Sequence, residues 1–172
     1  MDKIKIFDNF LTELELKKLL SIICAKNYKY GHSSGYGERV ENLFFSSHNE
    51  ETFFLKDIKK KIEIALSKQF VLDRHYMHIQ TFGLDGSYHI DSDMNNSFTF
   101  CIYISDVDNS LSEIAGGEFL IKIPNEKFII SIEPISNRAI FFPSTFYHKG
   151  LAYNSFFSEK RLCITWKLRE IT

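Results

Sequence analysis

The spacing of apolar residues changes from helical to alternating near Phe70, and this change restricts the folds open to the 172-residue chain. Before Phe70, two segments carry apolar residues three or four positions apart, which is the spacing of amphipathic helices. The first follows a capping box of Thr12 and Glu15, and the second covers about residues 50–68. A short strand is expected before them, over residues 3–7. After Phe70, alternation and turn residues predict strands over residues 75–82, 97–105, 118–123, 127–132, 138–142 and 161–168.

Two helices followed by many short antiparallel strands predict an α+β, mainly β fold. We expect the N-terminal helices to pack on one face of a β-sandwich or jelly roll, which leaves a cavity inside the second sheet. The chain carries no internal repeat or linker, so we expect one domain over residues 1–172. Residues 1–70 would supply helical support and a loop, and residues 71–172 the jelly-roll core.

Residues 27–49 are rich in Gly, Ser, Tyr and Asn and are predicted to form a mobile loop. Within this segment Tyr36 and Arg39 are our candidates for a lid over the substrate.

Net charge and cysteine content indicate which partners and which cellular compartment to expect. The net charge is −1, with Lys and Glu interleaved, which argues against nucleic acid as the main partner. No apolar run approaches the ~20 residues that a membrane-spanning helix needs, so no membrane-spanning segment is expected. Cys24, Cys101 and Cys163 are odd in number and lie among apolar residues, a pattern typical of reduced thiols in a cytoplasmic protein. Core packing is the favoured role of Cys101 and Cys163, with thiolate ligation as the alternative.

The sequence His89-Ile90-Asp91 follows a turn that contains glycine. In an extended segment, residues i and i+2 point to the same face, so His89 and Asp91 can converge on one metal ion. His148, in a short polar loop after a strand, is the candidate for the third ligand. Two histidines and one carboxylate form the facial triad of non-haem iron(II) sites, which leaves coordination positions open.

Other polar residues offer alternatives to this ligand set. Asp93 could replace Asp91 as the carboxylate ligand. His75 and His78 are three positions apart, and on a strand they face opposite sides, so they cannot both reach one ion. His78 lies on the same strand face as Gln80 and is a candidate to line the cavity.

Alternation places Arg161, Cys163 and Thr165 on one face of the last strand. A guanidinium at the mouth of a mostly apolar cavity requires an anionic partner. A dicarboxylate whose other end chelates the metal would supply that partner, and the hydroxyl of Thr165 could contact the same carboxylate.

Five segments together resemble the 2-oxoglutarate/iron(II) dioxygenases, specifically the prolyl 4-hydroxylase-like branch. These segments are residues 82–91, 101–105, 116–120, 138–143 together with His148, and 161–166. The resemblance covers about residues 75–168 and implies a double-stranded β-helix, the cupin-like jelly roll. It implies that His89, Asp91 and His148 bind Fe(II), and that Arg161, with Tyr103 and Thr165, holds the distal carboxylate of 2-oxoglutarate. Many relatives have a tyrosine where this chain has Phe82, and Gln80 is the candidate to replace its contact.

The resemblance also implies an activity. With Fe(II), 2-oxoglutarate, O₂ and ascorbate as an accessory reductant, such an enzyme would hydroxylate a C–H bond of a prolyl, peptidyl or small-molecule substrate and release succinate and CO₂. Asp91 fills the position that a halide would need, so hydroxylation is favoured over halogenation. The alternatives are a cupin-like metalloenzyme that does not use 2-oxoglutarate, and a non-catalytic β-sandwich binding module.

Overall fold

The computed structural model describes residues 3–33, 43–48 and 51–171. Helix α1 begins after Thr12, whose backbone N–H donates to Glu15 Oε2 (2.8 Å), and the predicted capping box is complete. The second predicted helix starts as a π-helical turn, Phe53–Ile58, and continues as α2. The helical elements are α1 Glu13–Cys24, the π-turn Phe53–Ile58, α2 Lys59–Leu66, a 3₁₀ turn Asn109–Leu111 and α3 Ser112–Ala115.

Ten strands form two antiparallel sheets in the part of the chain that the structure describes. The strands are β1 Lys5–Phe7, β2 Lys29–Ser33, β3 Leu43–His48, β4 Phe70–Gln80, β5 Ser97–Ser105, β6 Phe119–Lys122, β7 Ile129–Ile132, β8 Ala139–Pro143, β9 Tyr147–Gly150 and β10 Arg161–Glu170. The larger sheet has the order β1-β8-β5-β10-β4-β3-β2, and the smaller one β7-β6-β9. A bridge between His89 and His148 extends the smaller sheet by one position. The predicted mainly β jelly roll is confirmed.

The central strands of the larger sheet separate two apolar clusters by alternation. On the outer face, Trp166 and its neighbours pack with the helices, and the indole Nε1 donates to the carbonyl of Phe54 (3.0 Å). On the inner face, Cys101, Tyr103 and Cys163 pack toward Phe119 of the smaller sheet. The helices therefore cover one face, and the opposite face is left for the cavity between the sheets.

The structure differs from the expectation for residues 27–49. Residues 29–33 and 43–48 form β2 and β3 rather than a loop, because β3 pairs with the edge of β4 (Phe45 opposite Ile79). Pairing with an existing sheet edge outweighs the turn-rich composition. The lid candidates Tyr36 and Arg39 lie outside the described residues, so their role stays a prediction.

His148 also lies in a different element from the one expected. The predicted polar loop is strand β9, which pairs with β6 (His148 opposite Ile121). A four-residue strand with three polar or glycine positions has too weak an apolar pattern to be recognised in the sequence. None of the described helices is long and apolar enough to cross a membrane.

The side chain of Asn137 ties the segment before α1 to the larger sheet. Its Oδ1 accepts from the Leu11 N–H and its Nδ2 donates to the Leu11 carbonyl, both at 2.8 Å, in a buried position. Its backbone has φ 65°, in the left-handed region that asparagine tolerates better than most residues.

We predict that Asn137→Ala lowers the free energy of unfolding by about 2–4 kcal/mol, because it removes two buried hydrogen bonds and leaves alanine in a left-handed conformation. Asn125→Ala is the matched control: Asn125 is exposed and has φ 70°, so only about 1–2 kcal/mol should be lost. Urea unfolding of both variants measures the difference, and equal losses would contradict the role assigned to the Asn137 side chain.

Candidate metal centre

Two histidines and one aspartate, distant in sequence, converge between the two sheets. His89 Nε2 lies 3.5 Å from Asp91 Oδ1, and His148 Nε2 lies 3.4 Å from Asp91 Oδ2. One ligand atom from each residue lies within 4.8 Å of the others, so the three could hold a metal ion. The exposed Asp93, the alternative carboxylate, is not part of this group.

The backbone fixes which nitrogen of each imidazole faces the site. Nδ1 of His89 lies 2.8 Å from the carbonyl of Ser87, and Nδ1 of His148 lies 2.8 Å from the carbonyl of Phe146. A carbonyl only accepts hydrogen bonds, so each Nδ1 carries a proton, and the other ring nitrogen, Nε2, faces the site. Metal-binding histidines are commonly oriented by this kind of bond.

The charge states of the group suit a cation. Asp91 Oδ2 accepts from Thr99 Oγ1 (2.6 Å) and contacts the ammonium of Lys167. Burial by itself would raise the pKa of Asp91, but Lys167 and His148 hold that pKa well below its usual range. Burial lowers the pKa of His148, despite the opposing effect of Asp91. An ionised carboxylate beside a neutral imidazole is the state in which both bind metals.

A cavity of about 220 Å³ extends from this group along the inner face of the larger sheet. Its floor is built from β5, β10 and β4, whose inward residues pair across the strands in four rows. Starting from the end away from Asp91, the rows are Ser105–Arg161–Gln80, Tyr103–Cys163–His78, Cys101–Thr165–Tyr76 and Thr99–Lys167–Arg74. All of these residues except Ser105 line the cavity.

The first row holds a guanidinium that is 1% exposed. Arg161 Nε donates to the carbonyl of Gly117 (2.6 Å), and Nη1 donates to Gln80 Oε1 (2.5 Å). No carboxylate of the described residues lies within ion-pair distance of Arg161. Glycine is required at position 117, whose carbonyl accepts from Arg161. Its φ is +81°, and a Cβ there would lie 2.7 Å from the ring of Tyr153.

The hydroxyl of Tyr103 lies in the same part of the cavity. It is buried and makes no hydrogen bond of normal geometry with a described residue, and the guanidinium of Arg161 lies 4.9 Å from the ring centroid. Burial raises the pKa of Tyr103 well above its usual value, so the phenol keeps its proton and can donate it in a hydrogen bond. Among the described residues, the buried cation has no counter-ion and the buried donor has no acceptor, so this end of the cavity is suited to a carboxylate.

Gln80 and Thr165, the remaining residues predicted to contact the co-substrate, line the same cavity. Gln80 orients Arg161, since its Nε2 donates to the carbonyls of Leu84 and Gly150 while its Oε1 accepts from the guanidinium. The hydroxyl of Thr165 lies in the third row, 3.6 Å from the sulfurs of Cys101 and Cys163, and its contact with the co-substrate stays a prediction.

The other candidate ligands lie outside the metal group. Cys101 and Cys163 line the cavity but do not belong to the group of ligand atoms. His78 also lines the cavity, as expected. His75 points to the helices and stacks on Phe54.

Lys167 is the functional candidate that sequence reasoning missed. It continues the alternation that starts at Arg161, and extending that pattern by two residues beyond Thr165 would have placed it on the cavity floor. What the pattern could not predict is its contact with Asp91, which lies between β4 and β5 and is distant in the sequence.

No protein-family model and no curated protein matches the sequence. Solved structures do match. An oxidoreductase of the 2OG-Fe(II) oxygenase family from Burkholderia pseudomallei has TM-score 0.74 at 10% identity, over 98% of this chain and 85% of that one. A Trichoplax adhaerens prolyl hydroxylase, in complex with a peptide fragment of the hypoxia inducible factor oxygen degradation domain, has TM-score 0.69 at 17% identity (98% and 84%).

A third match is a non-haem alpha-ketoglutarate-dependent epimerase from nogalamycin biosynthesis, with TM-score 0.69 at 10% identity, over 99% of this chain and 77% of that one. At these identities the likeness establishes the fold. The chain therefore has the fold of the 2-oxoglutarate/iron(II) oxygenases, and the resemblance read from its sequence is confirmed at that level. The epimerase and the prolyl hydroxylase show that proteins with this fold catalyse more than one reaction.

We predict that His148→Ala weakens cobalt(II) binding by at least about 100-fold, because it removes one of three ligands. Thr99→Val should weaken binding by about 10-fold, because it removes a hydrogen bond that orients Asp91. Titration of the purified protein, followed by the visible absorption of cobalt, measures both effects. Asp93→Asn is the control and should bind cobalt normally; a large loss there would show that the wrong carboxylate has been assigned.

Proposed function

We propose that this protein is an Fe(II)- and 2-oxoglutarate-dependent dioxygenase that hydroxylates a C–H bond of its substrate and releases succinate and CO₂. The observation that carries the proposal is one cavity with a group of metal ligands at one end and a buried guanidinium, without a carboxylate partner among the described residues, at the other. 2-Oxoglutarate matches both ends of this cavity: its oxo-acid group chelates a metal, and its second carboxylate needs a cation.

His89, Asp91 and His148 would hold the iron, and Arg161 with Tyr103 would hold the distal carboxylate. When bound, iron(II) and 2-oxoglutarate together supply the activation of O₂ on which the proposed reaction depends. The contribution of the chain is positional: it fixes the imidazoles through the Ser87 and Phe146 carbonyls and keeps Asp91 ionised.

Two aromatic rings shield one side of His148 from water. The ring of His148 packs edge-on against Phe142 (centroids 4.7 Å apart) and next to Phe119 (5.4 Å). Phe142 is fully buried and Phe119 nearly so. Burial of these rings keeps water from this side of His148, and the exclusion of water strengthens electrostatic contacts.

Hydroxylation is the outcome that we propose for this chain, because Asp91 occupies the carboxylate position of the ligand set. The peptide in the Trichoplax prolyl hydroxylase complex supports a peptidyl substrate, and the epimerase of the same fold supports a small molecule. The use of ascorbate and the cytoplasmic location stay predictions.

We expect the wild-type protein to form succinate slowly from 2-oxoglutarate in the presence of iron(II) and ascorbate, even without its substrate. Tyr103→Phe should raise KM for 2-oxoglutarate by about 10-fold, and Arg161→Gln by about 100-fold, because buried charged hydrogen bonds are lost. Cobalt affinity and the thermal unfolding midpoint, measured on the same samples, separate these losses from misfolding.

Full activity of a folded Arg161→Gln variant would favour the rival metalloenzyme that does not use 2-oxoglutarate. Absence of both metal uptake and succinate formation in the wild-type protein would favour a non-catalytic binding module.

A further inference from the structure

The fourth row of the cavity floor carries two cations directly opposite each other. Lys167 on β10 pairs in register with Arg74 on β4, and both line the cavity. Residues in such positions on an antiparallel pair have Cβ atoms about 4.5–5.5 Å apart, and like charges there are destabilising. An anion between the two side chains would relieve this repulsion.

Both cations lie against one aromatic ring. The guanidinium of Arg74 is 4.8 Å from the ring centroid of Tyr76, and Nζ of Lys167 is 5.7 Å from the same centroid. Tyr76 is buried and belongs to the adjacent row of the cavity floor, so its ring packs beside both cations. The pair therefore lines the cavity, and Lys167 contacts Asp91 of the metal group.

The carboxylates nearby are already engaged. Asp91 is a metal-ligand candidate, and Lys167 contacts its Oδ2. Asp73, the chain neighbour of Arg74, pairs with Arg169 (3.0 Å). Among the described residues, no carboxylate is within ion-pair distance of Arg74.

The charges in the loaded cavity do not balance. A divalent metal and three cationic side chains would face Asp91 and the two carboxylates of 2-oxoglutarate. Arg161 accounts for the distal carboxylate in its own row. Lys167 contacts Asp91, so Arg74 is the cation of the fourth row that has no carboxylate partner among the described residues.

We propose that Arg74 and Lys167 bind a carboxylate group of the substrate, so that the protein acts on an acidic substrate. The inference rests on the proposed function, which it extends by naming the substrate class. Because Lys167 touches the metal-ligand carboxylate, the bound group lies within a few bonds of the carbon that reacts. A main-chain carboxylate of an amino acid or a chain terminus meets this requirement, and so does the side chain of Asp or Glu in a peptide.

Lys167 by itself has a simpler role available, as the counter-ion of Asp91. Arg74 has no such role, since it stacks on Tyr76 at the exposed rim of the cavity. The proposal is therefore tested at Arg74. Arg169→Gln is the matched control, because it makes the same change to an exposed arginine that pairs with Asp73 and lies outside the cavity.

The experiment titrates the cobalt(II)- and 2-oxoglutarate-loaded protein with two pairs of probes and follows the visible absorption of cobalt. N-acetylglycine and N-acetylglycinamide test a main-chain carboxylate. N-acetyl-aspartic acid amide and N-acetyl-asparagine amide test a side-chain carboxylate in a peptide-like setting. Within at least one pair, the acid should bind at least about 10-fold more tightly than the amide, and Arg74→Gln should remove that preference while Arg169→Gln keeps it.

Each result decides the question. Equal affinity for acid and amide in both pairs overturns the inference and leaves the proposed function intact. An acid preference that survives in Arg74→Gln means that Arg74 does not bind the carboxylate, which also overturns the inference. Failure to bind cobalt or 2-oxoglutarate, seen before any probe is added, overturns the proposed function and the inference with it.

Discussion

The structure depends on the alternation of strand β10, the middle strand of the seven-stranded sheet. Its even-numbered residues, such as Ile164 and Trp166, are buried against the helices, and its odd-numbered residues from Arg161 to Lys167 line the cavity. A shift of one residue in register would move every charged group into the apolar core and every apolar group into the cavity. Burial of the indole against Phe54 therefore fixes where the guanidinium and the ammonium lie.

This register gives the cavity a charged group at each end and polarizable side chains between. Arg161 and the hydroxyl of Tyr103 lie at one end, and Asp91 with its partners lies at the other. The middle rows present the thiols of Cys101 and Cys163 and the hydroxyl of Thr165. Burying a charge without a partner is costly. Charged groups are nevertheless present at both ends of this cavity, which is expected of a binding site rather than of a packed core.

Much of this arrangement could be predicted from the sequence because it follows local rules. The capping box at Thr12, the apolar spacing of the second helix and the boundaries of β5 depend on residues close together in the chain. The convergence of His89 and Asp91 follows from their spacing on an extended segment. The face that Arg161 shares with Thr165 follows from strand alternation.

The parts that could not be predicted depend on long-range pairing. Strands β2 and β3 lie in a segment whose overall composition is turn-rich, and they are extended because β3 adds to the edge of β4. His148 lies in a strand because β6 pairs with it. The contact between Lys167 and Asp91 joins residues 76 positions apart, and no local sequence pattern predicts it.

We propose that the two imidazoles and the carboxylate hold one metal in the same cavity in which Arg161 binds 2-oxoglutarate. The most direct test is a crystal structure of the protein grown anaerobically with iron(II) and 2-oxoglutarate, with anomalous diffraction measured at the iron edge. We predict a single strong anomalous peak at bonding distance, about 2 Å, from His89 Nε2, His148 Nε2 and an oxygen of Asp91, with the distal carboxylate of 2-oxoglutarate on the guanidinium of Arg161. A peak elsewhere, or 2-oxoglutarate bound away from Arg161, would contradict it.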